Sequence, residues 1–327
     1  MDNLTHSLVG ALLGQAGLKR KTGLAMPALI IGANLPDVDA ACFFWLDGVQ
    51  HLGFRRAITH GPIAWVLLPL ILSGLLWGWD RWQAKRARRP EGRLPVHFGW
   101  LYALAFIACL SHPALDWLNV YGIRFLEPFS SRWFYGDVLF IIDVWLWLGL
   151  GFATWLSLRR EKRGGEWRSP ARIAIAGALA YVGANAAYTA YLYDYERNYD
   201  RGREKIISPV PIASWKREVL TEEEPTLWKS TEWSGSIKNL EAVRRACFGN
   251  CPGYPAAEVC RIEPVRQLTK TNPQVAAFLF WSRAPFAERA PDGSVLLRDA
   301  RYYDPRAQNR FTVALPEVRC ESLPQPS

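Results

Sequence analysis

The sequence lacks the local motifs that mark several common enzyme classes. It contains no GxSxG elbow, no P-loop and no GxGxxG stretch, which disfavours a serine nucleophile of the hydrolase type and a nucleotide-binding loop. A signal peptide is also missing, because Asp2 stands where a basic segment would begin and no small-residue cleavage site follows the first apolar run. Residues 5–17 are therefore expected to remain in the mature protein.

A nucleic-acid partner is not expected, although the formal net charge is +9. The densest basic stretches are residues 19–21, 81–89 and 159–163, and each lies between apolar runs. No basic patch is interleaved with aromatic residues in the manner of a single-strand binding surface. The positions of the basic stretches indicate instead the cytoplasmic loops of a membrane protein.

Long apolar runs predict a mainly α-helical, polytopic membrane bundle of about six helices, two of them short. Three runs approach the roughly 20 residues that cross a bilayer, and a fourth is weaker because it is rich in Ala and Tyr. Two shorter segments are predicted to form a tight helical hairpin with residues 19–21 at its tip. The six predicted helices are residues 4–18, 24–35, 61–79, 98–118, 138–158 and 171–193. Sixteen Trp, clustered near the ends of these runs, suit the bilayer interface.

The basic loops predict one topology without conflict between them. Lys and Arg are enriched in cytoplasmic loops, so residues 19–21, 80–95 and 159–169 are assigned to the inside. The opposite ends of the helices, and the chain after about residue 194, then face outward. The sequence predicts a multi-pass protein of a bacterial inner membrane with both termini in the periplasm.

The composition changes after Tyr193 and predicts a second domain. Residues 1–196 are assigned to the membrane-embedded helical domain, and residues 197–327 to a soluble, β-rich, extracytoplasmic domain. Strands are expected at residues 275–283, 294–303 and 310–318, where apolar and polar residues alternate in short runs. The PDG stretch at 291–293 predicts a turn between the first two strands.

Four cysteines of the second domain are disulfide candidates: Cys247, Cys251, Cys260 and Cys320. Two bridges are expected in the periplasm, but four cysteines allow three pairings and the sequence does not choose among them. The alternative is four free thiols. A zinc site is disfavoured because CFGNC has three intervening residues and the other two cysteines form no second close pair. Cys42 and Cys109 are expected to be small buried hydrophobes.

Carboxylates and histidines gather at the predicted outer ends of the helices. A carboxylate moved into hydrocarbon is costly unless a partner compensates its charge, yet ANLPDVDA places Asp37 and Asp39 beside an apolar run. His112 and Asp116 are four residues apart, which puts both on one face of a helix. Further histidines at the outer helix ends are His6 and His60.

Each of these residues has an ordinary alternative when it is taken alone. The aspartates would serve as turn formers in water, and each histidine as a helix-end or interface residue. Together the six form a candidate ligand set for one or two divalent ions: His6, Asp37, Asp39, His60, His112 and Asp116. Mixed His and Asp ligands favour zinc or another first-row ion. Arg55 and Arg56 precede His60 and are candidates for binding an anionic group, with lipid-headgroup contact as the alternative.

The stretches MDNLTHSLVGALLGQAGL, NLPDVD, RRAITH and LSHPALDWLNVYG, in this order, resemble the bacterial YdjM-like family of membrane-bound metal-dependent hydrolases. The resemblance covers roughly the first 200 residues, and the part from SPVP at 208–211 resembles the extension of longer members. It implies that the six residues above form a metal site and that Arg56 matches a family arginine. Many members carry His where this chain has Arg55.

Two functional interpretations follow. The first is a hydrolase at the outer face of the inner membrane, in which metal-activated water attacks a phosphoester or ester of a lipid or envelope metabolite. Asp37 and Arg56 are then predicted to take part in catalysis, and Arg55 and Arg56 to bind substrate. The second is a non-enzymatic metal-binding membrane protein or scaffold. Transport is disfavoured because the middles of 61–79 and 138–158 are apolar except for Ser73 and Thr154.

Overall fold

A computed structural model of the chain describes residues 1–199, 202–224, 227–234, 241–248, 259–303 and 311–321. The chain divides into two compact units. The first unit comprises Met1–Asp39 and Arg56–Ala186, and the second comprises Ala40–Arg55 and Ala187–Ser327. The predicted domain boundary at 196/197 thus falls inside the second unit. The segment 40–55 belongs to that unit as well.

The chain up to residue 199 is helical, with the bounds α1 Asn3–Gln15, α2 Ala25–Asn34, α3 His51–Phe54, α4 Pro62–Lys85, α5 Phe98–Trp117, α6 Val144–Lys162 and α7 Arg168–Tyr199. Short 3-10 helices lie at Leu18–Arg20, Leu35–Phe44 and Ile58–His60. The prediction of a mainly helical protein with several apolar helices and a C-terminal β-sheet region is confirmed.

Among the residues that the structure describes, four helical segments are long and apolar enough to cross a membrane: Ala25–Phe44, Pro62–Lys85, Phe98–Trp117 and Arg168–Asn198. Large apolar side chains on them remain exposed, among them Leu75 on α4 and Leu179 on α7. Exposed apolar faces of this kind suit contact with lipid.

Two small hydrophobic cores lie among the described residues of the first unit. Leu29 on α2, Leu72 on α4 and Leu104 on α5 belong to one core. Leu12 on α1 and Leu150 on α6 belong to the other, which also includes residues of α7. The clustered side chains lie on facing helix stripes, so the helices pack as a bundle.

The predicted hairpin of two short helices is confirmed. Helices α1 and α2 are joined through the 3-10 helix Leu18–Arg20 and run close together at Gly10. A Cβ atom at Gly10 would lie 2.6 Å from the carbonyl oxygen of Leu29. Only glycine permits this approach of two backbones without displacement of one helix.

The predicted start of one helix is wrong. The predicted helix at 138–158 begins only at Val144, because the carboxylate of Asp143 accepts hydrogen bonds from Trp145 N and Leu146 N and so caps α6. Helix α5 runs through Pro113 to Trp117. Helix α2 ends at Asn34, and the residues that follow it form the 3-10 helix Leu35–Phe44.

In its described residues, the second unit contains two four-stranded antiparallel sheets. Strands β1 Lys205–Pro209, β2 Lys216–Glu224, β3 Leu227–Ser234 and β4 Glu241–Phe248 form the first sheet in sequence order. Strands β5 Val259–Cys260, β6 Pro285–Arg289, β7 Ser294–Asp299 and β8 Thr312–Arg319 form the second. Helices α8 Glu263–Gln267 and α9 Pro273–Trp281 lie between β5 and β6, with short 3-10 helices at Leu268–Lys270 and Ala300–Tyr302.

The strand predicted at 275–283 is wrong, because these residues lie mostly in α9. The side chain of Asn272 caps this helix by accepting from Gln274 N and Val275 N, and Pro273 occupies its first turn. Val275, Phe278 and Trp281 are buried at helical spacing. The other two predicted strands correspond to β7 and β8, and the predicted turn at 291–293 is confirmed between β6 and β7.

One of the candidate disulfides forms between Cys260 and Cys320. It joins β5 to the residue that follows β8. Cys247 lies in β4, with its side chain not described, and Cys251 lies outside the described residues, so a second bridge stays a prediction. Cys42 and Cys109 are buried, as expected.

Candidate metal centre

The first unit brings all six predicted ligand residues together, from segments far apart in the sequence. His6 projects from α1, His60 ends a 3-10 helix, and His112 and Asp116 lie one turn apart on α5. Asp37 and Asp39 lie on the 3-10 helix Leu35–Phe44. The three histidines and Asp116 are completely buried, and the side chains of Asp39 and Asp37 are 3% and 8% exposed. We call these six residues the His–Asp cluster.

Asp116 lies at the centre of the cluster. Its Oδ1 atom is 3.4 Å from His6 Nε2. Its Oδ2 atom is 3.6 Å from His60 Nε2 and 3.6 Å from His112 Nε2. The amino group of Met1 also pairs with Oδ1. Three imidazole nitrogens therefore converge on one carboxylate.

Asp37 closes a second side of the cluster, with its Oδ1 atom 4.0 Å from His60 Nε2 and 3.8 Å from His112 Nε2. Ligand atoms around a tetrahedral ion with bonds of about 2 Å stand about 3.3 Å apart, which is close to the separations in the cluster. Two sets of three residues each offer ligand atoms within 4.8 Å of one another: His6, His112 and Asp116, and Asp37, His60 and His112.

The backbone of α2 sets the protonation of His112. Its Nδ1 atom lies 2.7 Å from the carbonyl oxygen of Ala33, so Nδ1 carries the proton and Nε2 is left as an electron-pair donor. Helices α2 and α5 approach closely here because Gly32 has no side chain, and a Cβ at Gly32 would lie 3.1 Å from the Ala105 carbonyl oxygen. The ring of His6 stacks on that of His112, with centroids 3.7 Å apart.

The carboxylate of Asp39 lies on the Nδ1 side of the His60 ring. Its Oδ2 atom lies 3.6 Å from His60 Nδ1 and accepts hydrogen bonds from Thr59 Oγ1 at 3.1 Å and from Arg56 N at 2.8 Å. A carboxylate behind a metal-ligating histidine fixes the ring orientation and raises the basicity of the other nitrogen. The structure thus separates the two aspartates of the DVD motif: Asp37 faces the Nε2 atoms, and Asp39 faces the back of His60.

Arg56 connects Asp39 with Asp116. Its backbone N–H is bound to Asp39, and its Nε lies 3.0 Å from Asp116 Oδ2. Its Nη1 donates to Asn119 Oδ1 at 3.1 Å and to the Gly122 carbonyl oxygen at 3.2 Å. The residue is buried and has a positive φ of 56°, a conformation that non-glycine residues rarely adopt and that is found at functional sites.

Arg55 belongs to the second unit. It ends α3 in extended backbone, and its guanidinium lies 5.6 Å from the ring centroid of Phe43. The predicted roles of Arg55 and Arg56 in substrate binding stay predictions.

Sequence reasoning missed the segment that follows α5. Asn119 accepts from Arg56 and also from the backbone N–H of Tyr121 at 2.8 Å, and Arg124 N donates to the carbonyl oxygen of Arg56 at 3.0 Å. Asn119 lies three residues after Asp116, so helical spacing was a usable signal for it. No comparable signal existed for Arg124, whose contact is made by its backbone.

The donor set fits a divalent ion. The Nε2 atoms of His6 and His112 are buried and make no hydrogen bond within the part of the chain that the structure describes. Leaving a buried polar nitrogen unsatisfied costs about 1–3 kcal/mol, and coordination to a cation would satisfy both atoms. Three imidazoles with carboxylates are ligands that zinc and other first-row ions take.

A model of the YdjM inner membrane protein family matches residues 1–192, which include every member of the His–Asp cluster. The chain belongs to the YdjM inner membrane protein family. The resemblance drawn from the sequence is thus confirmed, and with it the assignment to the inner membrane. No curated protein and no solved structure matches the chain. Residues 193–327 lie beyond the YdjM match.

Proposed function

We propose that this YdjM-family protein is a metal-dependent hydrolase that acts on a phosphoester or ester at the outer face of the inner membrane. The observation that carries the proposal is the convergence of His6, His60 and His112 on Asp116 and Asp37 in the buried interior of the first unit. Within the described residues, the Nε2 atoms of His6 and His112 make no hydrogen bond, and a buried group of this kind is costly unless it serves a site.

The proposed ligands of one or two divalent ions, most simply zinc, are His6, Asp37, His60, His112 and Asp116. When bound, such an ion lowers the pKa of a water molecule and polarises a phosphoryl or acyl oxygen. We assign Asp39 to the orientation of His60 rather than to coordination, because it faces Nδ1 and is held by Thr59 and Arg56.

Asp37 is the proposed general base, with Oδ1, which lies nearest the histidines, as the proposed metal ligand and Oδ2 as the proposed proton acceptor. Its side chain is 8% exposed, whereas that of Asp116 is 1% exposed and tied to Arg56. A carboxylate with access to solvent is better placed to take a proton from an incoming water than one that is enclosed. We propose that the substrate approaches from the Asp37 side, and its position near a membrane boundary favours a lipid or an envelope metabolite.

The test is hydrolysis by purified full-length protein of a panel of chromogenic phosphoesters and carboxylic esters in lipid nanodiscs. We expect turnover that a chelator abolishes and that added zinc or manganese restores. His112→Ala should abolish it, whereas His51→Ala should not, since His51 lies in α3 and interacts with the Gly48 carbonyl oxygen.

Metal binding without any chelator-sensitive turnover across the panel would favour the alternative of a non-enzymatic metal-binding protein or scaffold. Turnover that survives both chelation and His112→Ala would contradict the proposed site itself.

A further inference from the structure

In the second unit, the β1–β2 hairpin lies along the last turns of α7. Three contacts fix this arrangement: Lys205 Nζ to Glu196 Oε2 at 2.9 Å, Ile207 N to Tyr193 Oη at 3.2 Å, and Arg217 Nε to Thr189 Oγ1 at 3.1 Å. Buried side chains of Leu192, Ile207 and Val219 fill the space between hairpin and helix. The hairpin is therefore held to α7 along its whole length.

The order of these contacts gives the direction of the hairpin. Lys205 pairs with Thr221 at the open end of the ladder, and Pro209 pairs with Arg217 next to the turn. The open end thus contacts Glu196, and the turn end contacts Thr189, seven residues earlier in the helix. The turn points back along α7, toward the part of the helix that crosses the membrane.

The position of Thr189 gives the depth of the turn. Residues 173–193 of α7 carry no charged side chain, and at 1.5 Å per residue they span about 30 Å, the thickness of a bilayer core. Thr189 lies about 6 Å inside the end of this uncharged stretch, four residues before Tyr193. Residues 210–215 connect the two strands beyond the Pro209–Arg217 pair, so they lie at the end of the hairpin that contacts Thr189.

Arg217 locks the turn in place. It is completely buried, its Nη1 donates to the carbonyl oxygens of Ser214 and Lys216, and its guanidinium lies 5.0 Å from the ring centroid of Tyr188. The turn is therefore attached to the helix rather than projecting freely.

The turn presents apolar side chains at its tip. Ile212 is 64% exposed and Trp215 is 56% exposed, and Lys216 follows directly. Trp beside a long basic side chain is typical of the bilayer interface, where the ring is half in hydrocarbon and the amine reaches the headgroups. Ile212 also has a positive φ of 67°, which is a genuine outlier for a β-branched residue.

We propose that the β1–β2 turn, residues 210–215, inserts into the outer part of the bilayer that α7 crosses and anchors the second unit to the lipid surface. The partner is the acyl-chain and glycerol region of the same membrane, because the turn lies within the uncharged length of α7. The anchor uses Ile212 and Trp215 as apolar contacts.

The test uses full-length protein in phosphatidylcholine nanodiscs with an environment-sensitive fluorophore attached at single introduced cysteines. Ile212→Cys and Trp215→Cys report on the turn. Glu204→Cys is the matched control, since Glu204 is exposed at the open end of the same hairpin, where its carbonyl oxygen accepts from Glu222 N. Labelling of the unsubstituted protein gives the background from the native cysteines.

We expect lipids brominated on the acyl chain to quench the two turn labels several-fold more than the Glu204 label, and aqueous iodide to show the reverse order. Iodide quenching of the turn labels equal to that of the Glu204 label would overturn the proposal. Turn labels that neither quencher reaches would overturn it too, because the turn would then be enclosed by protein.

Discussion

At the scale of single residues, Arg56 links two carboxylates of the His–Asp cluster. Its main chain holds Asp39, and its side chain holds Asp116 together with Asn119. Both carboxylates border the three histidines, so the loss of Arg56 contacts would loosen two sides of the cluster at once. The sequence alone suggested an anion-binding role for this arginine, and the contacts favour a positioning role.

We predict that Arg56→Gln lowers metal affinity by about 10–100-fold, the usual effect of removing a group that orients ligands. Arg55→Gln is the matched control and should leave affinity unchanged, because the described contact of its guanidinium is with Phe43. Competition titration with a chelating dye measures both. Equal affinity in Arg56→Gln and the unsubstituted protein would show that Arg56 positions neither carboxylate.

A buried ion pair in the second unit predicts a pH-dependent stability. Burial alone would raise the pKa of Asp299, but the guanidinium of Arg301 and the hydroxyl of Ser282 hold that pKa below its ordinary value. A carboxyl with a depressed folded-state pKa adds stability above its unfolded pKa of about 3.9. This contribution is lost as the pH falls through the folded-state pKa.

We therefore expect the second unit to become easier to unfold below about pH 4, measured as pepsin cleavage in increasing urea. Asp299→Asn should remove this pH dependence and lower the free energy of unfolding by about 3–5 kcal/mol, because Arg301 is left buried without its partner. Glu317→Gln, an exposed change on β8, should stay within about 0.5 kcal/mol. An Asp299→Asn protein as stable as the unsubstituted one would refute the role of the pair.

Spacing predicted part of the cluster and could not predict the rest. The i, i+4 rule placed His112 and Asp116 on one helix face, and their Nε2 and Oδ2 atoms do lie 3.6 Å apart. The distinction between Asp37 and Asp39 was not accessible, because it depends on Thr59 and Arg56 reaching Asp39 from a different segment. Contacts made by backbone atoms of distant residues leave no trace in residue type.

At the scale of elements, the α1–α2 hairpin positions His6. The helices approach at Gly10, where an added Cβ would lie 2.6 Å from a backbone oxygen of Leu29 and 3.0 Å from Ile30 Cα. Backbone atoms cannot turn away as a side chain can, so one helix has to move. Because His6 lies one turn before Gly10, such a movement displaces a ligand of the cluster.

We predict that Gly10→Ala lowers the free energy of unfolding by about 1–3 kcal/mol, as overpacking does, and reduces the metal content of the purified protein. Gly78→Ala on α4 is the matched control, since nothing lies within 4 Å of its added Cβ. Thermal unfolding in detergent and elemental analysis give the two readouts. A Gly10→Ala protein indistinguishable from Gly78→Ala would show that the close approach is not required.

The misassigned strand at 275–283 shows why short apolar runs are ambiguous. The run VAAFLFW suits a strand by composition, but Asn272 and Pro273 start a helix, and Val275, Phe278 and Trp281 share its buried side. The N-cap residue Asn272 and the Pro273 that follows it were both visible in the sequence. Together with apolar residues three positions apart, they favour a helix over a strand.

At the scale of the whole molecule, the apolar helices were predictable because the length of an apolar run can be read directly from the sequence. The topology follows from the basic loops and stays a prediction. A reporter fused at Arg88 or Arg163 should read cytoplasmic, and one fused at Ser327 should read periplasmic, because Lys and Arg are retained inside. A cytoplasmic signal at Ser327 would reject the outward-facing site.

The most direct measurement is the metal content of the purified, unsubstituted protein and of two histidine variants, by elemental analysis after removal of loosely bound ions. We predict one or two equivalents of zinc or a similar divalent ion in the unsubstituted protein, loss of bound metal in His112→Ala, and unchanged content in His51→Ala. The reason is that His112 Nε2 faces both Asp37 and Asp116, whereas His51 lies outside the cluster. Protein that carries no metal and cannot be loaded with any divalent ion would contradict the assignment of the His–Asp cluster as a metal centre.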